Sequence, residues 1–137
     1  MKKFFLVPLL ITLLVSVTAF GGEKKVNKSA IVDNLNAGLT SENFGLRVSS
    51  AYVLSQLICC NALEADDASK TIIPLMKIMN SEENDEARIV AALALYHLNS
   101  ERGISLLKYA AEKDDSERFS KIGASFYKAY LEKQKSE

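Results

Sequence analysis

One stretch, residues 86–98 with the sequence E-A-R-I-V-A-A-L-A-L-Y-H-L, constrains the fold of this chain more than any other. Almost all of its residues are good helix formers, which predicts an α-helix. Its large apolar residues fall on more than one side of that helix, and they are Ile89, Leu93, Leu95, Tyr96 and Leu98. A helix that is apolar on several sides is buried on several sides. We therefore predict that 86–98 forms the central helix of the domain.

Helical patterns recur before and after this stretch. Residues 30–39 carry apolar side chains at a spacing of four, and residues 72–79 form a one-sided apolar stripe, as in amphipathic helices. Apolar or aromatic residues at helical spacing mark three more segments, which are 44–60, 104–113 and 116–133. No stretch alternates between apolar and polar residues with a period of two. The sequence therefore predicts an all-α fold without a sheet.

Turn and capping residues place the boundaries between these helices. Residues 40–43 offer N-cap side chains for the second helix, and Asp66 or Asp67 can cap the third. Proline is comfortable only in the first turn of a helix. We therefore expect the third helix either to begin late, near Thr71, or to be kinked at Pro74.

The N-terminus has the three-part plan of a secretory signal peptide. Lys2 and Lys3 precede an uncharged apolar run at 4–20, and small residues within 17–21 are suited to cleavage. The alternative is an uncleaved membrane anchor, because the run sits at the lower limit for spanning a bilayer. Pro8 and the glycines that follow the run favour cleavage.

This pattern divides the chain into three parts. We predict a signal peptide at 1–21, a flexible linker at 22–28 and a folded domain at 29–134. The protein is then periplasmic or secreted and has no membrane contact after cleavage. If the leader stays in place, the protein is instead anchored to the membrane through its N-terminal segment.

Composition and charge limit the class of protein. With 48% hydrophobic and 25% charged residues, the 137-residue chain matches a folded single domain and not a disordered one. The 17 basic and 17 acidic residues balance, and removal of Lys2 and Lys3 with the leader leaves a small acidic excess. Nucleic-acid binders need a basic surface that releases counterions. We therefore expect no nucleic-acid partner.

The two cysteines, Cys59 and Cys60, are adjacent in the sequence. Neighbouring residues on a helix point about 100° apart, so a disulfide between them would need a strained turn. We expect both to be small core residues, since free cysteine is among the most buried residue types. The alternative is an intermolecular disulfide through one of them. They have neither the spacing of a C-x-x-C redox motif nor the second pair of a zinc site.

No catalytic constellation is visible in the sequence. His97 is the only histidine, and near the C-terminal end of its helix its protonation is favoured by the helix dipole. We expect it to have a surface or packing role. The candidate nucleophiles, Ser55 and Cys59, lie in predicted helix interiors without a sharp or glycine-rich turn. We therefore expect no enzymatic activity and no cofactor.

Three acidic groups precede predicted helices, at 66–67, 82–86 and 114–115. None of them has the alternating oxygen ligands and the glycine of a calcium loop. Acidic residues before a helix cap its free N–H groups and interact favourably with its dipole. Because that role explains all three groups, we expect no metal site.

The central stretch is also one copy of a repeat, and repeats decide the fold class. A shift of 41 residues superimposes Arg47 on Arg88, together with the residues around them. A shift of 30 places Arg118 on Arg88, and a shift of 31 aligns 73–77 with 104–108. Three copies of a helix pair are therefore visible.

The repeated unit resembles the HEAT repeat in its short bacterial form. It has an acidic or asparagine-containing turn, then an arginine, then an alanine-rich helix that ends in leucine; residues 84–95, N-D-E-A-R-I-V-A-A-L-A-L, match best. The resemblance covers roughly 29–131. It implies a right-handed α-α superhelix, a HEAT-like or armadillo-like solenoid of about three helical hairpins. The first and third copies deviate, as expected for terminal repeats with one side facing water.

The resemblance also implies roles for individual residues. In this family the repeated arginine and the turn Asp or Asn bond between neighbouring repeats, and arginine's planar fork suits such bonds. This assigns a structural ladder to Arg47, Arg88 and Arg118, with Asn43, Asn84 and Asp114 as partners. The alternative is an arginine row that binds an anion. The second helix of each pair lines the concave side in this family, which makes the partner-binding candidates Lys70, Lys77, Asn80, Ser105, Lys108 and Glu112.

Curved solenoid surfaces serve mainly for extended protein contacts. We therefore expect an exported, non-enzymatic protein-interaction or scaffold module with a protein partner. One alternative is an enzyme or enzyme accessory of the HEAT-like lyase type. The other is a membrane-tethered adaptor that keeps its leader.

Overall fold

A computed structural model describes residues 26–136, which form six α-helices and one short 3-10 helix, with no strand among them. The α-helices are α1 (Lys28–Leu39), α2 (Phe44–Cys59), α3 (Ile72–Ser81), α4 (Asp85–Leu98), α5 (Glu101–Lys113) and α6 (Glu117–Ser136), and the 3-10 helix is Ser69–Thr71. The all-α prediction is confirmed for this part of the chain. The predicted signal peptide and most of the predicted linker lie outside the described residues.

Side-chain caps begin most of these helices, as the sequence suggests. The side chains of Asn43, Asn84 and Ser100 each accept a hydrogen bond from the backbone N–H three residues further on. Ser116 does the same for α6, at 3.2 Å from its hydroxyl oxygen to the N–H nitrogen of residue 119. These caps fix where α2, α4, α5 and α6 start.

The start of α3 differs from the capping prediction. Neither Asp66 nor Asp67 caps it, because the 3-10 helix lies between them and the first residue of α3, which follows Thr71 without a side-chain cap. The late start near Thr71 is confirmed. Pro74 therefore occupies the first turn, where its missing N–H costs nothing, and the helix has no need of a kink.

The helices pack as three consecutive pairs in two layers. Short turns join α1 to α2, α3 to α4 and α5 to α6, and the two helices of each pair pack against each other. Because the turns are short, the members of a pair run antiparallel. The second helices also pack side by side, with α4 in contact with both α2 and α6, while α3 has smaller contacts with its neighbours α1 and α5.

Helix α4 lies at the centre of the packing, as residues 86–98 predict. Its buried residues lie on several sides, and they are Ala87, Ala91, Ala92, Ala94, Leu95 and Leu98. The small alanine side chains let neighbouring helices approach closely. Every α-helix contributes a fully buried apolar side chain to the core, and the largest of them are Val32, Leu54, Leu75, Met79, Leu95, Leu107 and Phe119. Full burial of one such side chain contributes about 1.5–3 kcal/mol.

The helices of the described part of the chain were also compared with the length and hydropathy that a membrane span requires. None of the helices within residues 26–136 is long and apolar enough to cross a bilayer.

Candidate functional site

Arg88, in the first turn of α4, ties the second helix pair to the third. Its Nε donates to the backbone oxygen of Met79 at 2.8 Å. Its Nη1 donates to Asp114 Oδ1 at 3.1 Å, and Nη2 donates to the other oxygen of the same carboxylate. The guanidinium carbon also lies 4.0 Å from the centre of the Phe119 ring. Both charged side chains are only 14% exposed, so this bidentate pair is shielded from water.

Arg47, in the first turn of α2, makes the corresponding link from the first pair to the second. Its Nε donates to Glu82 Oε1 at 2.7 Å, across the boundary between the two pairs. Its Nη1 donates to the backbone oxygens of Ser41 and Glu42, both at 2.9 Å, which close the turn before α2. Each of these two arginines therefore binds backbone oxygen within its own pair and a carboxylate of the next pair.

The predicted asparagine partners have another role. The side chains of Asn43 and Asn84 cap α2 and α4, and neither bonds to an arginine side chain. Of the predicted partner residues, only Asp114 accepts from a ladder arginine. The carboxylate that meets Arg47 is Glu82, which lies in the acidic group that the sequence analysis assigned to capping.

Arg118 is placed differently from the other two predicted ladder arginines. It pairs with Glu86 of α4 at 2.6 Å, and both side chains are more than half exposed. The residue that corresponds to Arg88 in the third pair is Ser120, four residues after the cap, whose Oγ donates to the backbone oxygen of Ala111 at 2.9 Å. The shift of 30 that aligns Arg118 with Arg88 is therefore two residues too short. The caps Asn84 and Ser116 are 32 residues apart, and this shift aligns Arg88 with Ser120.

The pKa of the Asp114 carboxyl reflects this setting. Burial by itself raises the pKa, but hydrogen bonds from Arg88 and from the Ser116 N–H, with the positive charge of Arg88, outweigh it. The pKa consequently lies below the ordinary value of 3.8. The carboxylate is therefore charged at neutral pH and paired with the guanidinium.

The six predicted partner-binding residues are all exposed; they are Lys70, Lys77, Asn80, Ser105, Lys108 and Glu112. They belong to the 3-10 helix, to α3 and to α5, which makes them part of the first helix of a pair and not the second. The prediction placed these residues on the second helix of each pair, whereas they lie on the first. The second helices are the ones that pack on one another around α4.

These six residues also do not form one continuous surface. Lys70 pairs with Asp33 of α1, and Lys77 lines a cavity between α1 and α3. Lys108 lies on the far side of α5, beside Tyr127 of α6. Asn80 and Ser105 line the space between α3 and α5.

The space between α3 and α5 is an open groove with two parts. The first part is a shallow cavity of about 430 Å³ with an apolar side formed by Met76, Leu106 and Tyr109. The second part, of about 830 Å³, shares Leu106 and Tyr109 and extends to the turns that follow α3 and α5. We call these two parts together the α3–α5 groove. Tyr109 is 62% exposed, which makes it the most accessible side chain among the apolar residues of the groove.

The turn end of the α3–α5 groove is rich in carboxylates. Five of them line it, and they are Glu82, Glu83, Asp85, Asp114 and Asp115. The cations that line the same space are Arg88, which is engaged with Asp114, and Lys113. The sequence analysis missed this groove because its apolar side chains belong to two helices that only the packing brings together. The exposed position of Tyr109 on a polar helix face was the available signal.

Cys59 and Cys60 are not core residues, contrary to the prediction. Both are free thiols and both are exposed at the end of α2, where the helix gives way to a turn. The buried residues of α2 are on its other sides, and they are Ala51, Leu54, Ser55 and Ile58. Cys59 is the last residue of α2 and Cys60 is its C-cap, and both lie beyond the last buried residue of the helix, Ile58.

His97 is partly buried, and its ring packs edge-on against Tyr96 at 5.3 Å between centroids. Burial lowers its pKa, and the charge of Lys133 lowers it further. The pKa of His97 therefore shifts in the direction opposite to the one that the helix dipole alone would favour. Among the described residues, no group of three or more His, Cys, Asp or Glu side chains is arranged to hold a metal ion.

With this geometry in hand, the chain was compared with known proteins. No family model, no curated protein and no solved structure matches it. Its function must therefore be inferred from its own residues.

Proposed function

We propose that this protein is an exported, non-enzymatic protein-interaction module built as a HEAT-like solenoid of three helical hairpins. In this proposal the pairs α1–α2, α3–α4 and α5–α6 are successive repeats of a right-handed superhelix. The contacts of α4 with both α2 and α6 support the stacking, since each repeat of a solenoid contacts its neighbours.

The ladder supports the repeat assignment. Arg47 and Arg88 both lie four residues after an asparagine cap, and both bond to a carboxylate in the turn of the next pair. Equivalent residues that make equivalent bonds between successive units are what a repeat architecture requires. Both guanidinium groups are satisfied within the stack, which disfavours the alternative of an arginine row that binds an anion.

The α3–α5 groove is the observation that carries the binding function. It holds the exposed Tyr109 beside the partly buried Met76 and Leu106, on two helices that the core holds in place. Tyrosine is enriched in protein interfaces because it offers a large contact area together with a hydroxyl group. A groove of this kind on a rigid scaffold suits a protein segment as its ligand.

Site-specific photo-crosslinking in the cells that make the protein tests this proposal. A photoreactive amino acid at Ser105, in the groove, is expected to trap a protein partner, and the same amino acid at Gln134, exposed on α6, is the matched control. A protein adduct that forms from Ser105 and not from Gln134 supports the module. If neither position traps a protein, the proposal is wrong.

A further inference from the structure

We infer that the α3–α5 groove binds a protein segment that carries an apolar side chain followed by lysine or arginine residues. This inference rests on the proposed function and adds the chemistry of the partner. The occupant of the groove is a basic segment of another protein.

The apolar part of the groove gives the first anchor. Met76 of α3 faces Leu106 and Tyr109 of α5 across the cavity. On α5, Leu106 and Tyr109 are three residues apart and lie on one side of the helix. A single apolar side chain placed between the two helices contacts all three residues and removes their apolar area from water.

The carboxylates at the turn end give the second anchor. Glu82, Asp85 and Asp114 are partly neutralised by the ladder arginines, but Glu83 and Asp115 are exposed and have no ion pair with another described residue. Each of these two residues directly precedes a cap, Asn84 or Ser116, so neither is needed to start a helix. Neither a capping bond nor an ion pair within the described chain accounts for these two carboxylates.

The helix dipoles add to the negative potential at the same end. Helix α3 ends at Ser81 and helix α5 ends at Lys113, both next to the carboxylates. Each C-terminus carries the equivalent of about half a negative charge. Of the two cations that line this end of the groove, Lys113 is exposed and Arg88 is already paired with Asp114. The charge at this end therefore complements a cationic segment and repels an acidic one.

The spacing between the two anchors defines the motif. From Leu106 to Lys113, α5 advances about 10 Å along its axis, at 1.5 Å per residue. An extended segment covers this distance in about three residues, at roughly 3.3 Å per residue. The partner segment consequently has its apolar anchor about three residues away from its basic residues.

Binding of synthetic peptides to the purified protein, measured by fluorescence anisotropy, tests the inference. One labelled peptide has a leucine and two lysines at this spacing, and its matched partner has glutamates in place of the lysines. We expect the lysine peptide to bind at least about tenfold more tightly, with the difference shrinking when salt rises to about 0.3 M. Equal affinities would overturn the inference.

Charge reversal in the groove provides the second arm. The double variant E83K/D115K is expected to bind the lysine peptide about tenfold more weakly, since exposed charge pairs contribute modestly and two are reversed. The control E64K/E132K makes the same change in net charge at two exposed positions on other parts of the surface. Y109S is expected to weaken binding of both peptides. If E83K/D115K and E64K/E132K behave alike, the groove is not the binding site.

The outcome also separates this inference from the proposed function. If Ser105 traps a protein whose crosslinked segment is acidic or uncharged, the interaction module stands and the inference about its partner is wrong. If no protein is trapped at Ser105, the proposed function fails even when the lysine peptide binds. A trapped segment with an apolar residue about three residues from its lysines or arginines supports both.

Discussion

Replacement of Arg88 by methionine tests how the helix pairs are held together. Methionine keeps most of the unbranched apolar stem of arginine and removes the guanidinium group. The variant R88M therefore loses the bidentate pair with Asp114, the bond to the Met79 carbonyl and the contact with the Phe119 ring. It leaves a shielded carboxylate without its cation.

The expected loss of stability follows from these contacts. Removal of one partner of a fully buried ion pair costs about 3–5 kcal/mol, because the other charge stays behind without compensation. Asp114 retains 14% exposure and a hydrogen bond from the Ser116 N–H, which reduces that cost. The lost carbonyl bond and cation–π contact each contribute about 1 kcal/mol. We expect R88M to lower the free energy of unfolding by about 3 kcal/mol.

Urea unfolding monitored by circular dichroism measures this loss, and R118M is the matched control. Arg118 is also a predicted ladder residue, but its pair with Glu86 is exposed on both sides. Exposed pairs of this kind often contribute nothing measurable, so R118M should unfold like the unmodified protein. If R88M is no less stable than R118M, the assignment of the ladder to shielded pairs is wrong.

The pH dependence of the same experiment isolates the ion pair. The pKa of Asp114 lies below its ordinary value in the folded protein, so its contribution is full above an unfolded pKa of about 4. The contribution is lost as the pH falls through the folded pKa, because the folded state then gains a proton too. The difference between the unmodified protein and R88M is therefore expected to be constant above about pH 5 and to shrink as the pH falls below about 4. A difference that stays constant would exclude the charge of Asp114 as its cause.

Three further predictions concern the core, the thiols and the leader. A92D places a carboxylate at a fully buried position of α4 and should unfold the domain, seen as loss of the helical circular dichroism signal, whereas K108E on the exposed side of α5 should stay folded. Cys59 and Cys60 should both react with maleimide in the native protein, counted by intact mass. Mass spectrometry of the mature protein should find its N-terminus within residues 20–23; an intact N-terminus would favour the tethered adaptor.

Much of the fold was predictable from the sequence because helix formation depends on local patterns. The wide apolar surface of 86–98 placed α4 at the centre, and the bounds of the helices agree with the predictions to within a few residues. Pro74 indicated the late start of α3 because its ring excludes it from a helix interior. The prediction for Cys59 and Cys60 failed because it used average burial of cysteine, whereas the end of α2 decides where these side chains lie.

The candidate site was less predictable because it depends on which helices become neighbours. Ser105 and Asn80 were found as exposed positions, but the groove between them needs the contact of α3 with α5. Glu83 and Asp115 appeared to belong to capping groups, and only the observed caps at Asn84 and Ser116 separate them from that role.

The caps also divide the acidic turns into residues for stability and residues for binding. The residue two positions before a cap, Glu82 or Asp114, turns into the stack and receives the arginine of the preceding pair. The residue one position before the cap, Glu83 or Asp115, stays exposed at the end of the groove.

The same rule explains where the three pairs deviate from one another. The first pair has Ser41 two positions before its cap, where the other pairs have a carboxylate. No described pair precedes it, so no arginine reaches this position from behind. Its own arginine, Arg47, bonds to Glu82 of the next pair. The third pair has Ser120 where Arg47 and Arg88 lie in the others, and among the described residues no further turn follows to supply a carboxylate. Three pairs need two links of this kind, and the described chain has two. Because the linking and exposed carboxylates are neighbours in the sequence, substitutions at 83 and 115 should change binding without the loss of stability expected at 82 and 114.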